Sequence, residues 1–286
     1  GAPRAPHSSP TRRSSELGLN GQLTGKLWNE AAQVELSGDK RGSQWRSQAI
    51  KVNAPITAIS LSRWLGTDLT AYIDGRTSAI VNVDIPISHS AAVGLRVSSN
   101  LKGMAIKLPA PLAKPATKAA ELVYQGKLGP GKQLARATID GMAQVGLTWR
   151  DKQLKQVLVR VGLPGLAWNE RAGIGIEASI DTLQLNDWRA FIAKAPTKSV
   201  SQKLVQAMPT LQRLNLQTKA LMAGEENLGP VRLSLAREDT DWIISADNIQ
   251  PSALPKWPST HVEARVKPQA TGWLVDPLRL SQPNAD

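Results

Sequence analysis

Apolar and polar residues alternate with a period of two along most of the chain. Between positions 81 and 87 the odd positions are Val, Val, Ile and Ile, whereas the even positions are Asn, Asp and Pro. Residues spaced in this way share one side of a β-strand, because successive side chains of a strand point to opposite faces. A helix would need apolar positions three and four residues apart. The same alternation returns at 93–97, 104–108, 145–149, 157–161, 174–180, 231–235 and 262–266.

The alternation predicts an all-β, mainly antiparallel fold in which a long sheet has one apolar and one polar side. Three tripeptides at 28–30, 149–151 and 168–170 each begin with Trp, continue with polar residues and precede a new alternating segment. Polar residues of this kind suit a hairpin turn, so a hairpin is predicted at each site. The apolar side must be buried against something, so composition and spacing predict an extended amphipathic sheet.

Helical patterns are few. The best candidates are 186–195 and 199–208, separated by Pro196, which breaks a helix. Residues 60–65 suit one short helical turn. The Pro-rich segment 108–115 cannot donate ladder hydrogen bonds, so it is predicted to end a strand and cross the sheet edge.

Composition excludes several functional classes. The chain has 286 residues, a formal net charge of +12 and no cysteine, which excludes disulfides, thiolate metal sites and cysteine nucleophiles. Basic residues such as Lys51, Arg96 and Arg160 stand singly in strand-like segments, without the interleaved aromatics that bind single-stranded nucleic acid. We therefore expect no nucleic-acid partner. No apolar run approaches the length of a membrane-spanning helix.

Catalytic and metal-binding signals are weak. The three histidines, His7, His89 and His261, show no metal-ligand spacing. Residues 126–133 match a phosphate-binding loop until the last position, where Gln133 replaces the hydroxyl residue that binds magnesium. Glycine and proline in this segment favour a hairpin turn instead. We expect no catalytic residue, no metal and no cofactor, and hence a protein that is not an enzyme.

Residues 1–17 lack periodicity and are rich in Pro, Ser and Arg. Within them, HSSPTRRSSEL at 7–17 is similar to the translation of a common sequencing adapter. We therefore expect residues 1–17 to be either a disordered leader or an adapter artefact. Residues 18–286 contain the alternating segments, and a helical insertion is expected near 186–208.

Two segments resemble the YhdP branch of the AsmA-like family. Residues 99–116 (SNLKGMAIKLPAPLAKPA) are similar to its S-x-L-x-G, alternating strand and L-P-A-P-L-G-K-P-A, with Ala113 in place of the usual Gly. Residues 180–188 are similar to its L-x-L-x-x-W passage into a short helix. The resemblance implies that residues 18–286 are a fragment of an extended antiparallel β-groove, formed by a long twisted or rolled amphipathic sheet with a few short helices. It also implies that this groove lies in the periplasm, bridges the inner and outer membranes and carries phospholipid. It also implies an inner-membrane anchor outside this fragment.

The expected function is thus that of a bridge-like lipid-transfer segment, with phospholipid acyl chains and components of both membranes as partners. The alternative is a non-catalytic closed β-sandwich, acting as a scaffold or binding module with a basic outer face. Alternation does not distinguish an open groove from a closed core. The residues expected to contact acyl chains are Val81, Val83, Ile85, Ile87, Val93, Leu95, Val97, Met104, Ile106, Val157, Val159, Val161, Val231, Leu233 and Leu235.

Overall fold

The computed structural model describes residues 20–27, 30–41, 44–65, 68–88, 91–151, 153–166, 171–194, 209–249, 260–269, 272–276 and 280–281. The leader at 1–17 and the predicted helix at 199–208 lie outside these residues. The described helices are α1 (Ala58–Leu65) and α2 (Leu185–Lys194). The described strands are β1 (Gly21–Leu27), β2 (Glu30–Arg41), β3 (Gln44–Thr57), β4 (Ile73–Pro86), β5 (Val93–Ser99), β6 (Met104–Ile106), β7 (Leu122–Leu128), β8 (Lys132–Ile139), β9 (Ala143–Arg150), β10 (Gln153–Val161), β11 (Gly173–Gln184), β12 (Leu211–Ala223), β13 (Glu226–Asn227), β14 (Val231–Glu238), β15 (Asp241–Ile249), β16 (Thr260–Gln269), β17 (Gly272–Asp276) and β18 (Leu280–Ser281).

The strands form one open, curled sheet. Following the hydrogen-bonded ladders, its order is β1-β2-β3-β4-β5-β7-β8-β9-β10-β11-β12-β14-β15-β16-β17. The short strands β6, β13 and β18 pair with β4, β12 and β16. All ladders are antiparallel except β10–β11 and β11–β12. The predicted mainly antiparallel all-β fold is confirmed.

The register gives the sheet two chemically different sides. Val52 of β3 lies opposite Val81 of β4, which lies opposite Val97 of β5. On the other side, Lys51 lies opposite Asn82. Because directly opposed residues share a face, we call the side that contains Val81 the apolar face and the side that contains Asn82 the polar face.

The parallel strands correct one prediction. A hairpin was predicted at 168–170, but β10 and β11, on either side of it, run parallel. The chain must therefore cross back along the strands after Val161. Arg160 of the polar face donates from Nη1 to the carbonyl of Pro164 at 2.8 Å, which places the start of this crossover on the polar face. Residues 167–170 themselves lie outside the described part.

The hairpin predicted at 126–133 is confirmed. Antiparallel strands β7 and β8 flank residues 129–131, so the segment that partly matches a phosphate-binding loop is a turn. Its Gly131 has a φ of +73°, a conformation that favours glycine. This segment therefore reverses the direction of the chain between two strands.

The two long edges of the sheet differ. One edge carries α1 between β3 and β4, residues 100–121 between β5 and β7, and α2 after β11. We call it the helical rim. At the opposite edge, the turn rim, described connections such as 129–131 and 239–240 are short. The helical rim therefore carries most of the described mass outside the sheet.

Helix α1 begins with a reciprocal pair of caps. The backbone N–H of Ser60 donates to Thr57 Oγ1 at 3.1 Å, and the backbone N–H of Thr57 donates to Ser60 Oγ at 2.9 Å. These bonds satisfy two backbone donors where the strand becomes a helix. The short helical turn predicted at 60–65 is present and begins two residues earlier, at Ala58.

Residues 99–116 fold into a compact unit on the helical rim, which we call the clasp. Lys114 lies at its centre and is 2% exposed to solvent. The Lys114 ammonium donates to the carbonyls of Leu101 at 2.7 Å, Met104 at 2.6 Å and Pro115 at 3.2 Å. Lys114 and Ile106 also exchange two backbone hydrogen bonds, so the Pro-rich segment doubles back onto β6. As predicted, it ends a strand at the sheet edge.

Burial has an electrostatic cost in the clasp. Desolvation lowers the pKa of Lys114 from its ordinary value, and the nearby positive charge of Lys118 lowers it further. Because the pKa in the folded protein is below that of the unfolded chain, the buried charge opposes folding at neutral pH. This opposition weakens as the pH rises through the lowered pKa towards 10.5. Three carbonyl acceptors offset the cost by satisfying all three ammonium donors.

A pair of glycines allows the clasp to approach β4. Gly75 and Gly103 have φ angles of +93° and +89°. A Cβ atom on Gly103 would lie 2.2 Å from the carbonyl oxygen of Arg76, and one on Gly75 would lie 2.2 Å from that of Gly103. The Arg76 N–H donates to the Gly103 carbonyl at 3.0 Å, so the two backbones are in direct contact.

Gly103→Ala is expected to lower the free energy of unfolding by about 2 kcal/mol more than Gly141→Ala does. Both positions have positive φ, +89° and +66°, so both substitutions add similar backbone strain. Only Gly103 faces a backbone oxygen, whereas a Cβ on Gly141 has no atom within 4 Å. Urea unfolding followed by circular dichroism measures the difference. Equal losses would show that the contact between the clasp and β4 is loose.

Candidate functional site

Three rows of mainly apolar side chains cross the strands of the apolar face. The central row is Leu23, Val34, Val52, Val81, Val97, Tyr124, Ala137, Val145, Val159, Ile176, Leu214, Leu235, Ile244 and Ala264. The row nearer the helical rim is Ser99, Leu122, Ile139, Ala143, Val161, Ala178, Leu216, Leu233, Ala246 and Val262. The row nearer the turn rim is Gly21, Leu36, Ile50, Val83, Leu95, Gly126, Ala135, Leu147, Val157 and Ile174.

None of the residues in the three rows is charged. The polar side chains among them are Ser99 and Tyr124. The Ser99 hydroxyl donates to the Ser78 carbonyl at 2.7 Å and accepts from the Leu101 N–H at 3.1 Å, so its hydrogen bonds are made within the protein. With neighbouring strands about 4.8 Å apart, the central row runs for about 60 Å perpendicular to the strands. The rows therefore form a continuous apolar track.

This face is only partly covered. Leu23 is 60% exposed, Leu128 is 55% exposed and Ile85 is 38% exposed, and all three belong to the apolar face. The strands of the described part join a single sheet, so none of them belongs to a second sheet packed on these residues. A large exposed apolar surface on a soluble fold marks a binding surface.

Most residues predicted to contact acyl chains lie together on the apolar face. Ile87 follows the end of β4, and Met104 and Ile106 lie in β6, which pairs with the first residues of β4. Met104 is 4% exposed and belongs to the clasp. The residues that the register brings together are Val81, Val83, Ile85, Val93, Leu95, Val97, Val157, Val159, Val161, Val231, Leu233 and Leu235.

Residues of β12 and β7 were missed. Leu214 and Leu216 alternate with Asn215 and Gln217 and continue the rows across β12. Their alternation was available in the sequence and would have identified them. Tyr124 of β7 was also missed, because an aromatic residue in a strand is compatible with either face.

The polar face carries cross-strand ion pairs. Glu177 of β11 pairs with Arg160 of β10 at 3.0 Å and with Arg213 of β12 at 3.6 Å. The Arg213 guanidinium lies against Gly175, where a Cβ would be 3.0 Å from Nε. The pair of Lys51 and Glu35 has side chains about half exposed, so it contributes little to stability. These pairs keep the polar face compatible with water.

The helical rim is tied together by a long-range contact. Trp188 of α2 donates from Nε1 to the carbonyl of Ala110 in the clasp at 3.1 Å. The Phe191 ring of α2 lies 5.8 Å from the Tyr72 ring. The clasp is attached to β4 and α2 follows β11, and these strands lie six positions apart in the sheet. The contact therefore holds one edge of the curled sheet together.

Other kinds of site find little support in the described part of the chain. No group of three or more His, Cys, Asp or Glu residues there could hold a metal ion. His261 contacts Asp247 on neighbouring strands, as one isolated pair. The two described helices are too short to cross a membrane. The apolar track is thus the candidate functional site.

Comparison with models of protein families identifies a relationship. A family model described as YhdP protein matches residues 11–275. The matched region contains the clasp, the two described helices and all of the three rows. No curated protein and no solved structure matches the chain.

Proposed function

The chain belongs to the YhdP family, of the AsmA-like lipid-transport type, and on that premise we propose that it carries phospholipid between the inner and outer membranes. Acyl chains lie on the three rows of the apolar face, and head groups remain in water. The site of action is the periplasm. No chemical step is involved, and the protein is not an enzyme.

The observation that carries this proposal is the continuity of the central row across fourteen strands. Each CH₂ group removed from water is worth about 0.8 kcal/mol, so an acyl chain on this face recovers much of what it loses on leaving a bilayer. An uncharged track has no position at which a sliding chain must cross a desolvated charge. Movement along the row is therefore a sequence of nearly equivalent apolar contacts.

A closed scaffold module is the weaker candidate. A sandwich needs two sheets packed face to face, and the described strands form one sheet. Ion pairs of the polar face, such as Lys51 with Glu35, neutralise part of the basic charge that motivated this alternative. Neither observation favours a folded core closed around the apolar residues.

Native mass spectrometry tests the proposal directly. The 286-residue chain is produced in a bacterial periplasm, purified without detergent, and its organic extract is analysed for lipid. Co-purification of phospholipid in roughly stoichiometric amount is the expected result. A folded, soluble and lipid-free protein that also fails to take up lipid from vesicles would contradict it.

A further inference from the structure

Tyr124 is the exceptional residue of the central row. It lies between Val97 of β5 and Ala137 of β8, and it alone in that row has a side chain that can form hydrogen bonds. Its side chain is half-buried. Among the described residues its hydroxyl has no hydrogen-bond partner. The apolar track thus contains, near its middle, one hydroxyl group that has no partner among the described residues of the protein.

The ring lies flat along its own strand. A Cβ atom on Gly126 would lie 2.9 Å from the Tyr124 oxygen and 3.2 Å from Cζ. The same Cβ would lie 2.8 Å from that of Ala135, which is 3% exposed. Glycine at 126 and alanine at 135 therefore leave the space into which the phenol folds. The hydroxyl is held over the row nearer the turn rim, at a fixed place on the face.

Filling this space does not explain the hydroxyl. Phenylalanine would occupy the same volume. A phenol that is covered by a bound ligand loses its hydration, and it regains a hydrogen bond only if that ligand has an acceptor. Burial raises the pKa of Tyr124 above its ordinary value, so the group is protonated at neutral pH and can donate. The position of the hydroxyl on the apolar face and its capacity to donate together indicate contact with a ligand that has an oxygen acceptor.

We propose that the Tyr124 hydroxyl donates a hydrogen bond to the carbonyl oxygen of an acyl lipid lying on the apolar face. This inference rests on the proposed function and adds the chemistry of the cargo, which must have an acceptor oxygen next to its hydrocarbon chain. An ester carbonyl and a free carboxyl group both meet that requirement. Tyr124 is then the point at which the otherwise uniform track fixes the position of a lipid along its length.

Tyr124→Phe in the complete chain tests the proposal, and Tyr72→Phe is its matched control. Tyr72 is the other tyrosine of the chain and lies on the helical rim against Phe191. Binding is measured with three pyrene-labelled probes of equal chain length: a phosphatidylglycerol, a fatty acid and an alkane without oxygen. We expect Tyr124→Phe to raise the dissociation constant of at least one oxygen-bearing probe about 3- to 10-fold, which corresponds to the loss of one neutral hydrogen bond. Tyr124→Phe is expected to retain the alkane affinity and the urea stability of the wild type. Tyr72→Phe is expected to change neither the binding of any probe nor the stability to urea.

The probes also separate the possible outcomes. If Tyr124→Phe weakens the binding of the phosphatidylglycerol probe alone, the acceptor is an ester carbonyl. If it weakens the binding of the fatty acid probe alone, the acceptor is a carboxyl group. Equal binding of all three probes by wild type and Tyr124→Phe, or an equal loss for all three, overturns the inference and leaves Tyr124 as a filler of space. Failure of the wild-type chain to bind any probe rejects the proposed function itself.

Discussion

Val83→Asp is expected to reduce lipid retention by about 100-fold while the sheet remains folded. Val83 lies in the row nearer the turn rim, between Ile50 and Leu95, and is half-buried. Without lipid, the new carboxylate can reach water, so the cost to folding is modest. Beneath an acyl chain it would be desolvated with no cation within its row, and that cost opposes binding.

Asn82→Asp provides the matched control. Asn82 is the preceding residue of the same strand, but it lies on the polar face between Lys51 and Arg96, where a carboxylate is favourable. This variant is expected to retain lipid as the wild type does. Lipid extraction with native mass spectrometry measures retention, and circular dichroism reports folding. Wild-type lipid content in Val83→Asp would reject the apolar track as the binding surface, and its unfolding would instead indicate a packed core.

Lys114→Met is expected to destabilise the clasp by about 3 kcal/mol. Methionine fills a similar volume but leaves three carbonyl oxygens, those of Leu101, Met104 and Pro115, without their side-chain donor. Relief from burying a charge acts in the opposite direction. The loss prevails because three hydrogen bonds from a charged donor disappear together, although the carbonyls of Leu101 and Pro115 each keep one backbone N–H donor.

Hydrogen exchange localises this effect. The N–H groups of Gly103 and Ile106 donate to Ala116 and Lys114 within the clasp and are expected to exchange about 100-fold faster in Lys114→Met. Lys118→Met is the control, because Lys118 is exposed and its charge only repels Lys114. It should leave exchange unchanged or slightly slower. Similar acceleration in both variants would mean that the loss of positive charge, rather than of the three hydrogen bonds, opens the clasp.

Alternation predicted the faces well because a period of two is the geometry of a strand itself. The odd residues of 81–85 and 93–97 were assigned to one side from sequence, and the register places them there. The continuity of the apolar rows from one strand to the next could not be predicted from alternation. It depends on which residue lies opposite which, and turn lengths and irregularities such as the one between Leu154 and Gln156 set that register.

The direction of β11 relative to β10 was the main failure. The alternation of 157–161 and 174–180 is the same whether the strands run parallel or antiparallel, and polar residues at 168–170 suit a crossover as well as a hairpin. Met104 and Ile106 alternate like residues of the track, yet Gly103 and the prolines that follow confine β6 to three residues within the clasp. The Lys114 site had a readable signal, a lysine between prolines without an acidic neighbour, but its acceptors are backbone atoms that no sequence pattern reveals.

Most ladders join strands that are consecutive in the chain, and this order has a consequence for assembly. A strand can add to the growing sheet soon after it is synthesised, because its partner has already been made. The contact between Trp188 and Ala110 spans 78 residues and forms only after β11 is in place. Each additional hairpin extends the sheet by about 10 Å without changing the pairing of the others. The distance that a protein of this architecture can span is therefore proportional to the number of its hairpins.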